Sequence, residues 1–145
     1  FNFLKVYDCK FYIFEKKSFY NKNIKKTSLK KIFKDCDIIC VSINLNEKTK
    51  KIINYKILKN ANKNLVIINA SRGGVIDEKA LISFLRKNKS ASAFLDCFEV
   101  EPYKGNLLKQ KNVFPLPHIA SYTYETRKEM ENSSSKKIIN YLEKI

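Results

Sequence analysis

Three side chains in this sequence have types that could do chemistry together. Arg72 lies in the stretch NASRGGVIDE (Asn69 to Glu78), after an apolar run and directly before two of the chain's three glycines. Its planar guanidinium can hold a carboxylate through two parallel hydrogen bonds, a match lysine cannot reproduce. Glycines after a strand let the backbone turn sharply and approach a ligand closely. His118, the only histidine, sits in PLPHIASYT, and Glu101 sits in FLDCFEVEP. A carboxylate hydrogen-bonded to an imidazole orients its tautomer and favours the protonated form, so such a pair can donate a proton near neutral pH. Singly, each residue has a plainer reading: Arg72 as a surface cation paired with Asp77 or Glu78, His118 as an incidental histidine.

Two further acids complete the set. Asp8 follows the run FLKVY, where an acid ending the second strand of a dinucleotide fold would accept ribose hydroxyls; alone, it is equally a turn or cap residue. Asp96 lies near the end of SAFLDC. An arginine for a carboxylate, a carboxylate-tuned histidine and a ribose-binding acid together suit hydride transfer between a nicotinamide and a 2-hydroxy or 2-keto acid.

The elements that must position these residues are legible as apolar, β-branched runs separated by helical patterns. FLKVY (Phe3 to Tyr7), IICVSI (Ile38 to Ile43), LVIIN (Leu65 to Asn69), SAFLDC (Ser92 to Cys97) and NVFPL (Asn112 to Leu116) are the expected strands. Their near-continuous apolar character predicts a parallel sheet covered on both faces. SLKKIFKDCD offers Ser28 as an N-cap, and DEKALISFLRKN offers Asp77. Strand, helix, strand repeats predict an α/β fold with a doubly wound parallel sheet. In such a sheet ligands lie outside the carboxyl ends of the strands, where Asp8, Ser42 to Asn44, Arg72, Asp96 and His118 all fall. The segment after Tyr122, about 122–145, predicts a terminal helix with a weak or bent middle at Ser133 to Ser135.

Composition narrows the class. With 145 residues, 44% of them hydrophobic and 12% aromatic, the chain reads as about one globular domain. No apolar run reaches the roughly 18 residues of a membrane span, and a cytoplasmic location is the expectation. The net charge of +15 invites a nucleic-acid reading, but the lysines are spread along the whole chain without a nucleic-acid motif, so no nucleic-acid partner is expected. Cys9, Cys36, Cys40 and Cys97 make no Cys-x2-Cys pair, which predicts no metal site and buried, reduced thiols.

The segments NASRGGVIDEKAL, FLDCFEVEP and PLPHIASYT, in this order and spacing, resemble the D-isomer-specific 2-hydroxyacid dehydrogenases. The resemblance runs from Asp8 to the terminal helix. It implies a Rossmann-like NAD-binding domain and NAD as cofactor. Arg72, in the family's N-x-(A/S)-R-G motif, would bind and polarise the substrate, and Glu101 would tune His118 as the catalytic acid; Glu99 is the competing acid. The resemblance also implies that Ala70, Ser71 and Arg72 touch the nicotinamide side of NAD, that Asp96 holds its carboxamide, and that His118, Ile119, Ala120 and Ser121 line the same cleft. Asp8 would take the adenosine ribose, preferring NAD to NADP, with Lys10 softening that choice.

The sequence departs from the family pattern in SINLN, where Asn44 stands in place of a common proline. The family's glycine loop and amino-terminal substrate domain have no counterpart in these 145 residues, so the chain reads as a partial NAD-binding domain with little activity alone. A small 2-hydroxy or 2-keto acid, with 3-phosphoglycerate the first guess, is the expected substrate of the parent enzyme, which the family makes dimeric or larger. An NAD-sensing corepressor-like module and an inactive remnant are the rival readings.

Overall fold

The computed structural model describes residues 4, 6–15 and 20–144. Its centre is a four-stranded parallel sheet whose order follows the chain: β3 (Ile38–Val41), β4 (Val66–Asn69), β5 (Ser92–Leu95) and β6 (Val113–Pro115). Two earlier strands, β1 (Phe11–Ile13) and β2 (Ile24–Lys26), form a separate parallel pair. The register brings Val41, Asn69, Leu95 and Pro115 into line as successive partners across the sheet. Four strand ends therefore share one edge.

Helix α1 (Leu29–Asp35) starts where the Ser28 hydroxyl accepts a bond from the Lys31 N–H, and it buries Ile32 and Phe33. A short helix, α2 (Tyr55–Leu58), is capped by Asn54. Helix α3 (Glu78–Lys87) is capped by the Asp77 carboxylate, which accepts from Lys79 and Ala80 at 3.0 and 3.2 Å. Glu78 in its first turn and Arg86 and Lys87 in its last complement the helix dipole. Leu81, Phe84 and Leu85 bury its inner stripe in the core cluster that also holds Phe33, Leu65 and Ile67. Helix α4 (Tyr124–Leu142), capped by Thr123, has no buried residue.

Several expectations need correction. Of the run Phe3 to Tyr7, Phe3 and Lys5 lie outside the described residues, while Leu4, Val6 and Tyr7 are exposed and in no strand. The strand that forms in this part is β1, which has a parallel partner in β2. The four-stranded sheet is covered on one face: along β3 burial alternates with exposure, and Phe94 and Phe114 stack at 4.5 Å on the open side. Cys40 lies on that open face and Cys9 is exposed, so Cys97 is the one fully buried thiol. α4 runs unbroken through its serines, and the Ser135 hydroxyl donates to the Glu131 carbonyl at 2.9 Å one turn back in the helix.

Candidate active site

Beyond the aligned strand ends the chain places Arg72 three residues after β4, Asp96 one after β5 and His118 three after β6. Asp96 and His118 are held by groups from a neighbouring strand or loop, Arg72 by the end of its own strand.

The turn carrying Arg72 is built on Asn69, which is 1% exposed. Its side-chain oxygen accepts from the Ser71 N–H at 3.1 Å and the Ser71 hydroxyl at 2.8 Å, and its amide nitrogen donates to the Arg72 carbonyl at 3.1 Å. A buried amide whose oxygen and nitrogen are both bonded within the turn fixes the loop. The guanidinium is exposed and donates to the Ser71 carbonyl at 2.6 Å. Gly73 and Gly74 are buried and open a short 3-10 turn. Neither has a positive φ. Gly73 is needed for close approach, but to the protein itself: a Cβ there would lie 1.9 Å from the Phe98 carbonyl carbon.

The same Phe98 holds Glu101, whose Oε1 accepts the Phe98 N–H at 2.9 Å. Glu101 Oε2 meets His118 Nδ1 at 2.8 Å. That bond, then the Phe98 N–H, holds the Glu101 carboxyl below the usual carboxylate range; the Arg72 charge contributes less. An ionised carboxylate accepts only, so Nδ1 carries the proton. The competing acid is engaged elsewhere: Glu99 pairs with Lys51 at 3.1 Å. His118 itself has φ 58, the left-handed region that a residue with a Cβ occupies at a cost.

Asp96 is 4% exposed. Its two carboxylate oxygens accept from the N–H groups of Ile119 at 2.8 Å and Ala120 at 2.9 Å. Cys97 beside it donates to the Asn69 carbonyl, and burial, with Glu101 and Asp96 adding, pushes its thiol up to about 11. Such a thiol is inert. Ala70, Ile119 and Ala120 are exposed and Ser121 half-buried around these groups. A cavity of about 540 Å³ borders His118 and Glu101, with Phe98, Tyr103, Leu108 and Leu116 in its wall.

Asp8 is the expected site residue that this edge does not gather. It is exposed and stands three residues ahead of β1, not at a strand's carboxyl end. Sequence reasoning passed over Asn69 as a functional group, although a polar residue closing the apolar run LVII is a visible signal. It also gave Gly73 a ligand to approach where the structure gives it Phe98.

The donor set fits the nicotinamide end of a dinucleotide. Exposed Ala70, Arg72, Ile119 and Ala120 and half-buried Ser71 and Ser121 stand around the Asp96 carboxylate and the His118 imidazole, groups of the kinds that can bond a carboxamide. Among the described residues no three His, Cys, Asp or Glu side chains cluster as a metal site, and no helix is long and apolar enough to cross a membrane.

Comparison with known proteins agrees. Residues 2–120 match the family described as D-isomer specific 2-hydroxyacid dehydrogenase, NAD binding domain. The chain is 42% identical over 99 residues to glyoxylate reductase 1 of Saccharomyces cerevisiae, covering 68% of this chain and 28% of that protein. It is 39% identical over 116 residues to glyoxylate/hydroxypyruvate reductase B of an Enterobacter species, covering 79% of this chain and 36% of that one. Among solved structures, an acyclic imino acid reductase in complex with NADPH and D-Arg superposes with a TM-score of 0.86 at 32% identity, over 93% of this chain and 44% of that chain. This chain thus spans about a third of the length of these curated relatives.

Proposed function

This chain belongs to the D-isomer specific 2-hydroxyacid dehydrogenases through their NAD-binding domain, and we propose that the protein it represents reduces a small, unphosphorylated 2-keto acid with a nicotinamide dinucleotide. The observation that carries this reading is the bond of 2.8 Å between His118 Nδ1 and Glu101, at the strand edge that also bears Arg72. The bound dinucleotide supplies the hydride in reduction and takes it in oxidation.

The chain's own groups do the rest. Arg72 releases the Ser71 carbonyl and takes the substrate carboxylate in a two-point bond, which fixes the keto carbon. His118 presents Nε2 to the carbonyl oxygen and gives it a proton as negative charge develops there. Glu101 stabilises the imidazolium and keeps Nδ1 protonated, so Nε2 is the nitrogen left to exchange protons. Asp96 and the backbone at 70–72 and 119–121 hold the nicotinamide side.

Glyoxylate and hydroxypyruvate are the proposed substrates. Relatives named for them support this. 3-Phosphoglycerate as substrate finds no such support, nor do the corepressor-like and remnant readings. The test is turnover by the full-length protein with NADH and NADPH against glyoxylate, hydroxypyruvate and phosphohydroxypyruvate. Reduction of the first two is expected; a preference for the phosphorylated acid would overturn the substrate assignment.

A further inference from the structure

The most constrained residue at the site is His118, and its constraint comes from β5. Before it, the Leu116 N–H donates to the Leu95 carbonyl at 2.8 Å. After it, the N–H groups of Ile119 and Ala120 both end on Asp96. Asp96 is in turn tied to β4, its N–H donating to the Asn69 carbonyl at 2.9 Å. The segment 116–120 is therefore held on both sides of a residue with φ 58. A left-handed residue with a Cβ persists only where its surroundings over-determine it.

We propose that Asp96 is a positioning residue whose carboxylate, by holding the two peptide N–H groups that follow His118, keeps that backbone in the conformation from which the imidazole reaches Glu101. A carboxylate is required because both of its oxygens accept. An asparagine offers one acceptor and turns an NH2 group toward the second N–H, leaving a donor facing a donor. The inference rests on the reading of His118 as proton donor, and it adds a task for Asp96 besides any contact with the cofactor.

The chain has a single histidine, so imidazole nitrogen shifts measured by NMR on the 145-residue chain report His118 alone, without cofactor. In the unsubstituted chain the neutral ring should be mainly Nδ1-protonated, and the Ile119 and Ala120 amides should be protected from hydrogen exchange although both residues are exposed. Asp96→Asn should move the ring toward a mixture of tautomers and speed exchange at both amides at least about tenfold, the loss of a charge-assisted bond. An unchanged tautomer and unchanged exchange in Asp96→Asn would overturn the proposal. If that variant does not fold, exchange in the unsubstituted chain decides: protection at both amides supports the clamp, and exchange at unstructured rates ends it. A parent protein without turnover but with the tautomer coupled to Asp96 would refute the catalytic reading and leave this one standing.

Discussion

Gly73→Ala places a methyl group where a Cβ would lie 1.9 Å from the Phe98 carbonyl carbon, 2.0 Å from its oxygen and 2.5 Å from the Glu99 nitrogen. Carbon contacts ordinarily sit at about 3.5–4.0 Å. The two backbone segments must separate by roughly 1.5 Å to reach that range, and main chain cannot rotate aside as a side chain can. Overpacking commonly costs about 1–3 kcal/mol, and a clash between two main-chain segments belongs at the top of that range or above it. Gly74→Ala is the internal control. Its Cβ would meet Leu45 side-chain carbons at 3.3 and 3.4 Å, and that leucine is 45% exposed and free to swing. With no positive φ at either glycine, Gly74→Ala also gains about 0.4–1 kcal/mol from a less flexible unfolded chain. Urea unfolding followed by circular dichroism should separate the two variants by about 3 kcal/mol with similar slopes. Equal midpoints, or a less stable Gly74→Ala, would refute the close-approach argument. The clash would also drive Arg72 away from the Phe98–Glu101 loop.

Other outcomes follow from the same geometry. Glu101→Gln keeps an acceptor for the Phe98 N–H but removes the charge beside His118; kcat of the full-length enzyme should fall about 10- to 100-fold, with the dinucleotide dissociation constant unchanged. Because Glu101 is held below its ordinary range in the fold, its contribution to stability is complete above the unfolded carboxyl pKa and is lost as pH falls through the lower folded value. In an acid titration the stability advantage of the parent over Glu101→Gln should be full at neutral pH and shrink as pH falls through the carboxyl range. Asp77→Ala removes the cap of α3 and should cost about 1 kcal/mol in the same unfolding assay. Under mild alkylation, mass spectrometry should find Cys9 and Cys40 modified well before Cys97, whose thiol is buried and pushed up to about 11.

The sequence made most of this arrangement readable. The four central strands stand where their β-branched runs stand, and Ser28 and Asp77 cap the helices that their side chains predict. The grouping of Arg72, Asp96 and His118 followed from reading each strand at its last residue, which works because parallel register aligns those ends. What escaped depends on distance in the chain. Gly73 answers to Phe98, twenty-five positions away, and no local pattern announces that contact. β2 and α2 are three and four residues long, too short for a period to show. The apolar runs suggested two covered faces, yet exposure of Ile38, Cys40, Phe94 and Phe114 depends on what lies against the sheet, which a strand's own residues do not state. Asn69 was visible as a polar end to LVII, but its role as the frame of the Arg72 turn needed its three bonds.

The central claim is that His118 gives the proton while Arg72 holds the carboxylate. It is tested most directly by glyoxylate-dependent NADH oxidation in the full-length protein and in its His118→Asn and Arg72→Lys variants. The account predicts that His118→Asn lowers kcat by about 10²- to 10⁴-fold with dinucleotide affinity unchanged, and that Arg72→Lys acts chiefly by raising KM for the keto acid. Turnover that survives His118→Asn within a few-fold would contradict it.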